Sequence, residues 1–344
     1  MKMDLQKLDD IKMNFIIGTG RSGTTLMVAL LNQYPDCIAA PEIHHFIFFY
    51  KKYKHITFVA KQVVSDYKNY LKSFFQAKED PFFEPPDFSL LDSLEIGQKI
   101  NYSQLTKLAY LSLFNKKRMS SEINLIVDKN PYYTLQTDKI FEIFPDAKIL
   151  ALIRDYRGFI VSNFQNKQFS GNIKSIFYYA HVWNLFIKKI LKTKKNFCDK
   201  IMIVKYEDLV SNKEIVVKDI VNFFELKYNE KNFDFHLEVK EKISQLNPSL
   251  KNYERMLKKI NELSVPVNSH KIYSWKDNLK ISEIRKSEFI CQEFGNQFGY
   301  LSETSKNIFL KILHSFQSAP SYFKVKIFEW MKSPDLSYYY KLKS

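Results

Sequence analysis

Cysteine and glycine are scarce in this chain of 344 residues, with 3 and 8 copies. Cys37, Cys198 and Cys291 are odd in number and lack C-x-x-C spacing. That speaks against a disulfide framework or a cysteine-held zinc, and a reducing, cytoplasmic setting is expected. No run of about 18 uncharged apolar residues occurs, so no spanning helix is expected. The nearest candidate, Phe46-Ile47-Phe48-Phe49-Tyr50, is far too short. Met1 to Lys12 mixes charges and has no apolar core, so no secretory signal is expected either. Acidic residues are in deficit, 37 against 52 Lys and Arg, a net charge of +15. Such a balance favours an anionic partner: nucleic acid, anionic lipid or a polyphosphorylated small molecule. The lysines are spread along the whole chain and no recognised nucleic-acid module appears, so nucleic acid is not the expected partner. Internal repeats and low-complexity blocks are also missing.

The few glycines are concentrated where they matter. Three of the 8 lie in Phe15-Ile16-Ile17-Gly18-Thr19-Gly20-Arg21-Ser22-Gly23-Thr24-Thr25-Leu26. An apolar run, a glycine-rich turn and a helical pattern read as strand, loop, helix, the usual construction of a phosphate cradle. Backbone N–H groups converge there on an anion, helped by the positive end of the helix dipole. Gly18 to Gly23 matches the opening of G-x-x-x-x-G-K-[ST], but Thr24 stands where the lysine belongs, and Arg21 places a cation inside the loop.

Short β-rich runs alternate with longer helical patterns, which predicts an α/β fold: a P-loop-NTPase-like parallel sheet flanked by helices. Strands are expected near Phe15–Gly18, Leu125–Asp128, Ile149–Ile153 and Ile201–Lys205, apolar on both faces as central strands are. Helices are expected at Thr24–Gln33, Thr134–Phe144, Phe159–Phe164, Ser175–Thr193 and Glu214–Phe224. A helical insert, about 45–124, is expected to cover the active site at the carboxyl edge of the sheet. The main domain is placed at 1–302 and a basic, aromatic helical tail at 303–344. Phe309, Leu310, Ile312, Leu313 and Phe316 recur there at helical spacing, which fits a packing helix or one that meets a partner or a membrane surface.

Further cations end the other strands. Ala147 to Ile153 leads into Arg154-Asp155-Tyr156-Arg157-Gly158, with Ser162 following on the next helix. A guanidinium and a hydroxyl at a strand's carboxyl end suit a second phosphate. Ile126-Val127-Asp128-Lys129-Asn130-Pro131 ends a strand with Lys129, and Pro131 keeps its predecessor extended. Three ligand classes can be weighed. A dinucleotide would use Gly18-Thr19-Gly20-Arg21-Ser22-Gly23 and needs an acidic residue ending a second strand; Glu42 lies at the right distance, but Pro41 precedes it. A kinase would use Thr25 and Asp128 for magnesium, but lacks its loop lysine. A site for phosphate without the triphosphate–metal arrangement fits both the missing lysine and the added cations.

Arg21-Ser22-Gly23-Thr24-Thr25-Leu26, Pro41-Glu42, Asp128-Lys129-Asn130-Pro131, Arg154-Asp155-x-x-Gly158-x-x-x-Ser162 and Tyr206-Glu207-Asp208-Leu209, in that order, resemble the PAPS-dependent sulfotransferase family. The likeness is to its bacterial and tyrosylprotein-sulfotransferase-like branch. It spans Phe15 to about Leu209 and continues more weakly to Trp275-Lys276 and the Phe294–Tyr300 stretch. The resemblance implies a donor cosubstrate, 3′-phosphoadenosine 5′-phosphosulfate, and no metal. Gly20, Arg21, Ser22, Gly23, Thr24 and Thr25 would hold its 5′-phosphosulfate. Arg154 and Ser162 would hold its 3′-phosphate, and Tyr206 matches a position near the nucleotide. Glu42 would be the base and Lys129 would assist at the sulfuryl group, with Arg21 stabilising charge. A buried Glu42 with a raised pKa would suit that task. His44 and His45 are rival bases. The family's Arg-Lys-Gly segment is replaced here by Val267-Asn268-Ser269-His270-Lys271, where Lys271 or Ser269 stands in. A hydroxyl-bearing acceptor is implied (saccharide, lipid, peptide or small alcohol), and the tail is a candidate for peripheral membrane contact.

Overall fold

The four apolar runs are strands of one parallel sheet, and a fifth joins them. A computed structural model of the chain describes residues 5–78, 85–165, 175–229, 257, 261, 272–304 and 308–330. The strands are β1 (Lys12–Gly18), β2 (Cys37–Ala40), β3 (Leu125–Lys129), β4 (Ile149–Ile153) and β5 (Ile201–Lys205), in the order β2-β3-β1-β4-β5. All pairings are parallel, with Phe15 of β1 opposite Asp128 on one side and Ile149 on the other.

β2 is the strand the sequence pattern does not announce. It has 4 residues, two of them alanines, between Pro35 and Pro41. It forms as an edge strand, where flanking prolines do no harm. Its position beside β3 also separates it from β1. A dinucleotide fold places its second strand directly beside its first, so the sheet order weighs against that reading.

Alternation along the strands divides the core in two. Phe15, Ile17, Ile38, Ala40, Ile126, Ile149, Ala151 and Ile153 face one layer. Ile16, Cys37, Ala39, Leu125, Val127, Leu150 and Leu152 face the other. The first layer is built from the insert (helices His45–Tyr53, Lys61–Lys78, Ser89–Asp92 and Tyr102–Leu113) together with Ile176–Asn196 and Ile281–Gln297. The second is built from the helices Thr24–Leu31 and Lys213–Phe223.

Local chemistry explains several boundaries. Asn101 and Gln104 form a reciprocal capping box that starts Tyr102–Leu113. The expected helix Thr134–Phe144 is two pieces: a 3₁₀ turn, Pro131–Leu135, then Thr137–Ile143, separated by Gln136 in a non-helical conformation. Pro131 opens that 3₁₀ turn and the Asn130 side chain accepts the Tyr132 N–H at 3.2 Å, so Asn-Pro ends β3 sharply. The tail contributes a helix, Ile308–Trp330, laid on Ile176–Asn196 through Lys189–Glu329 at 3.0 Å and Ser175–Ser321 at 3.4 Å. The three cysteines are unpaired.

Candidate active site

Each of the five strands delivers one of the sequence-nominated residues at its carboxyl end. β1 leads into the glycine loop, β2 to Glu42, β3 ends on Lys129, β4 leads to Arg154 and β5 to Tyr206. Ligands of open α/β sheets bind at this edge.

The loop is held down by backbone contacts that only glycine permits. Gly18 has φ +152°, and a Cβ there would lie 2.0 Å from the Leu152 carbonyl oxygen. The Gly18 N–H donates to Thr134 Oγ1 at 3.1 Å, and Thr19 N–H to Leu152 O at 3.2 Å. Ser22 is fully buried and its hydroxyl donates to Leu152 O at 2.8 Å. It is therefore a strut beneath the loop. Gly20 and Arg21 have φ of +71° and +54°, and a Cβ at Gly20 meets nothing within 4 Å. The loop thus turns its open side outward. Thr24 and Thr25 open the helix Thr24–Leu31, whose N-cap is Gly23 at φ 87°. Glycine has no side-chain oxygen to cap the first-turn N–H groups, so they are left to solvent or an anion.

Two side-chain contacts join the loop to the rest of the edge. Arg21 Nε donates to Ser162 Oγ at 2.9 Å. Arg154 Nη1 donates to the Arg21 carbonyl at 3.4 Å. The Arg154 guanidinium lies 4.6 Å from the centre of the Tyr206 ring, and burial lowers its pKa. Tyr206 in turn packs under Gly23, where a Cβ would come within 3.2 Å of the ring. Ser162 therefore meets Arg21, and Arg154 meets Tyr206.

Lys129 Nζ donates to Glu42 Oε1 at 2.6 Å, the lysine side chain 4% exposed and the glutamate 26%. Glu42 is not deeply buried: its carboxylate is partly open and paired with a cation. Asn130 N–H donates to Ile16 O at 2.9 Å, which seats this pair beside the end of β1. The Asn130 amide also meets His44 Nδ1 at 2.6 Å. His45 is elsewhere. It is fully buried in the insert, donates Nε2–H to Thr106 O at 3.1 Å and lies edge-on to Tyr110 at 4.5 Å. Burial takes its pKa down to about 3, so His45 belongs to the insert core and His44 to the rim of the site.

Asp128, weighed as a magnesium ligand, is fully buried on the other side of β3. Its carboxyl lies among Tyr110 and Tyr133, and burial pushes it up to about 8. No group of three or more His, Cys, Asp or Glu side chains able to hold a metal occurs among the described residues. Lys271 and Ser269 lie outside the described residues.

Supporting contacts went unnoticed in the sequence. Arg157 clamps Asp155 through Nη2 at 2.7 Å and stacks on Trp275 at 4.0 Å. Glu207 accepts the Asp155 N–H at 3.0 Å and the Tyr300 hydroxyl at 2.8 Å. Trp183 donates to the Arg154 carbonyl at 2.9 Å. Together these fix the turn that carries Arg154. Arg157 lies inside the Arg154-Asp155 motif and Tyr300 ends the Phe294–Tyr300 stretch of weaker resemblance, so only their roles were hidden; Thr134 has no local signal.

Residues 14–230 match the profile of the sulfotransferase family. The chain is 25% identical over 219 residues to a protein-tyrosine sulfotransferase of Drosophila melanogaster, covering 63% of this chain and 38% of that protein. It is 24% identical over 223 residues to protein-tyrosine sulfotransferase 1 of Danio rerio, covering 64% and 55%. The chain thus spans less than two thirds of the length of these relatives. Among solved structures it superposes on the sulfotransferase domain from the curacin biosynthetic pathway with a TM-score of 0.51 at 16% identity, covering 84% of this chain and 98% of that one. That likeness is one of fold.

Proposed function

This chain belongs to the sulfotransferase family, and we propose on that premise that it moves a sulfuryl group from 3′-phosphoadenosine 5′-phosphosulfate to an acceptor hydroxyl. The observation that carries the proposal is the Lys129–Glu42 contact at 2.6 Å. It sets a cation and a proton acceptor side by side at the carboxyl edge of the sheet, the edge that also carries the glycine loop.

The loop suits the donor's 5′-phosphosulfate. Its open side at Gly20, its uncapped helix N-terminus and Arg21 present donors and positive charge to one anionic group. Arg154, Ser162 and Tyr206 suit the 3′-phosphate and the nucleoside, with Lys271 as a further contact. Transfer breaks the bond between sulfur and the bridging oxygen of the donor and forms one between sulfur and the acceptor oxygen. Glu42 takes the acceptor's proton. Lys129 and Arg21 stabilise the charge that builds on the bridging and sulfuryl oxygens, so the site works by positioning and electrostatics. Adenosine 3′,5′-bisphosphate leaves with the bridging oxygen. The acceptor is a hydroxyl compound, and the relatives make peptide tyrosine the first class to assay.

Glu42→Gln and Lys129→Met, each checked for folding, are assayed for transfer of labelled sulfate to tyrosine peptides, saccharides and small alcohols. Each is expected to lose about 10²- to 10⁴-fold in kcat, the range for a general base or a charge-stabilising group. Near wild-type rates in folded variants refute the assignment. Binding of magnesium ATP in place of the bisphosphate points instead to a kinase.

A further inference from the structure

The helix Ile308–Trp330 is amphipathic in the wrong sense for a helix that only packs. Its buried positions are His314, Ser318 and Val325, and of its large rings the half-buried Phe328 turns inward, edge-on to Tyr132 at 6.4 Å. Its outer side is apolar. Ile312, Phe316, Phe323, Ile327 and Trp330 fall on one stripe at helical spacing and are 57%, 78%, 64%, 56% and 82% exposed. The stripe runs for roughly 27 Å at the helical rise. A contiguous apolar stripe of this kind marks a surface that something covers.

The charges beside it select the occupant. Lys311 and Lys326 border the stripe on one side and Lys324 on the other. Glu329 is the helix's one acid, and it is tied to Lys189 at 3.0 Å and Lys326 at 2.9 Å. A second copy of the stripe would bring lysine borders against lysine borders with no acid to match them, whereas paired helices join such borders by opposite charges. Anionic headgroups supply what a second copy cannot. Lysines flanking Phe, Ile and Trp describe a helix that lies in a membrane interface. Among the described residues no helix is long and apolar enough to cross a membrane.

We propose that the outer face of Ile308–Trp330 docks this protein on anionic phospholipid surfaces. The proposal stands apart from the transfer reaction and is tested without it. Full-length protein is mixed with vesicles of phosphatidylcholine alone or with phosphatidylserine, and co-sedimentation and tryptophan emission are read. Sedimentation is expected with phosphatidylserine only, with a blue shift of the emission. Trp183 and Trp275 are 0% and 2% exposed, so Trp330→Phe should abolish the shift. Phe316→Glu combined with Phe323→Glu should weaken partitioning by about a hundredfold or more. Lys311→Gln combined with Lys324→Gln should weaken it about tenfold. Circular dichroism confirms that the variants keep their helices. Absence of sedimentation with either vesicle overturns the proposal. So does a dimer, detected by light scattering, that Phe316→Glu splits while vesicles fail to bind. Undiminished binding by the double phenylalanine variant overturns it as well.

Discussion

Lys129 and Asp128 are neighbours on β3, and the pleat sends them to opposite environments. Lys129 meets Glu42 at the sheet edge. Asp128 enters the layer that holds Tyr110 and Tyr133, where burial raises its pKa from 3.8 to about 8; Lys129 opposes that shift and Glu42 adds to it. The consequence is a stability that depends on pH. An unfolded Asp128 releases its proton near 3.8, while the folded one keeps it to about 8. Its contribution is fully present below the lower value and is lost as pH rises through the upper one. Asp128→Asn stays neutral throughout. The variant's Tm relative to wild type should therefore climb from pH 4 to pH 8 and level off above. Parallel Tm profiles would show that Asp128 is ionised in the folded state. Nothing local in the sequence marks this carboxyl as buried, because its burial depends on Tyr110, contributed by the distant insert. Lys129 was recognisable because Pro131 and the end of an apolar run fix its place.

Among the elements, the glycine loop separates glycines that hold the fold from one that faces a ligand. Gly18→Ala puts a methyl group 2.0 Å from Leu152 O and must push β1 from β4. A loss of about 2–4 kcal/mol is expected from denaturant titration, the sum of overpacking and backbone strain. At Gly20 a methyl meets nothing within 4 Å. Gly20→Ala should cost only about 1 kcal/mol, yet calorimetry should find weaker bisphosphate binding, since the methyl occupies the cradle's open side. Equal loss of stability in both variants would contradict this division. The loop, β1, β3, β4 and β5 could be read directly because buried parallel strands leave continuous apolar runs. β2 could not: Cys37-Ile38-Ala39-Ala40 becomes a strand by pairing with β3, and two alanines carry little strand preference of their own. The broken helix at Gln136 was hidden for a similar reason, since the turn at Asn130-Pro131 takes up the residues before it.

For the whole molecule, the site's residues come from the ends of all five strands, which belong to one sheet. A ligand that touches several of those ends binds the native state and has no counterpart in the unfolded chain, so it must raise Tm by mass action. At adenosine 3′,5′-bisphosphate a hundred times above its Kd, the gain is about 2.7 kcal/mol. Spread over the unfolding entropy of a chain this long, that amounts to a shift of about 4 °C. Two substitutions then separate binding from chemistry. Glu42→Gln removes the proposed proton acceptor, which faces the acceptor substrate, so its shift should match wild type. Arg21→Ala removes an exposed loop cation and its bond to Ser162, so at the same bisphosphate concentration its shift should fall to about half or less. Added salt should reduce the wild-type shift as well, because a charged ligand meets screened arginines. A shift that Arg21→Ala leaves intact, or one absent from wild type, would move the nucleotide away from this edge of the sheet.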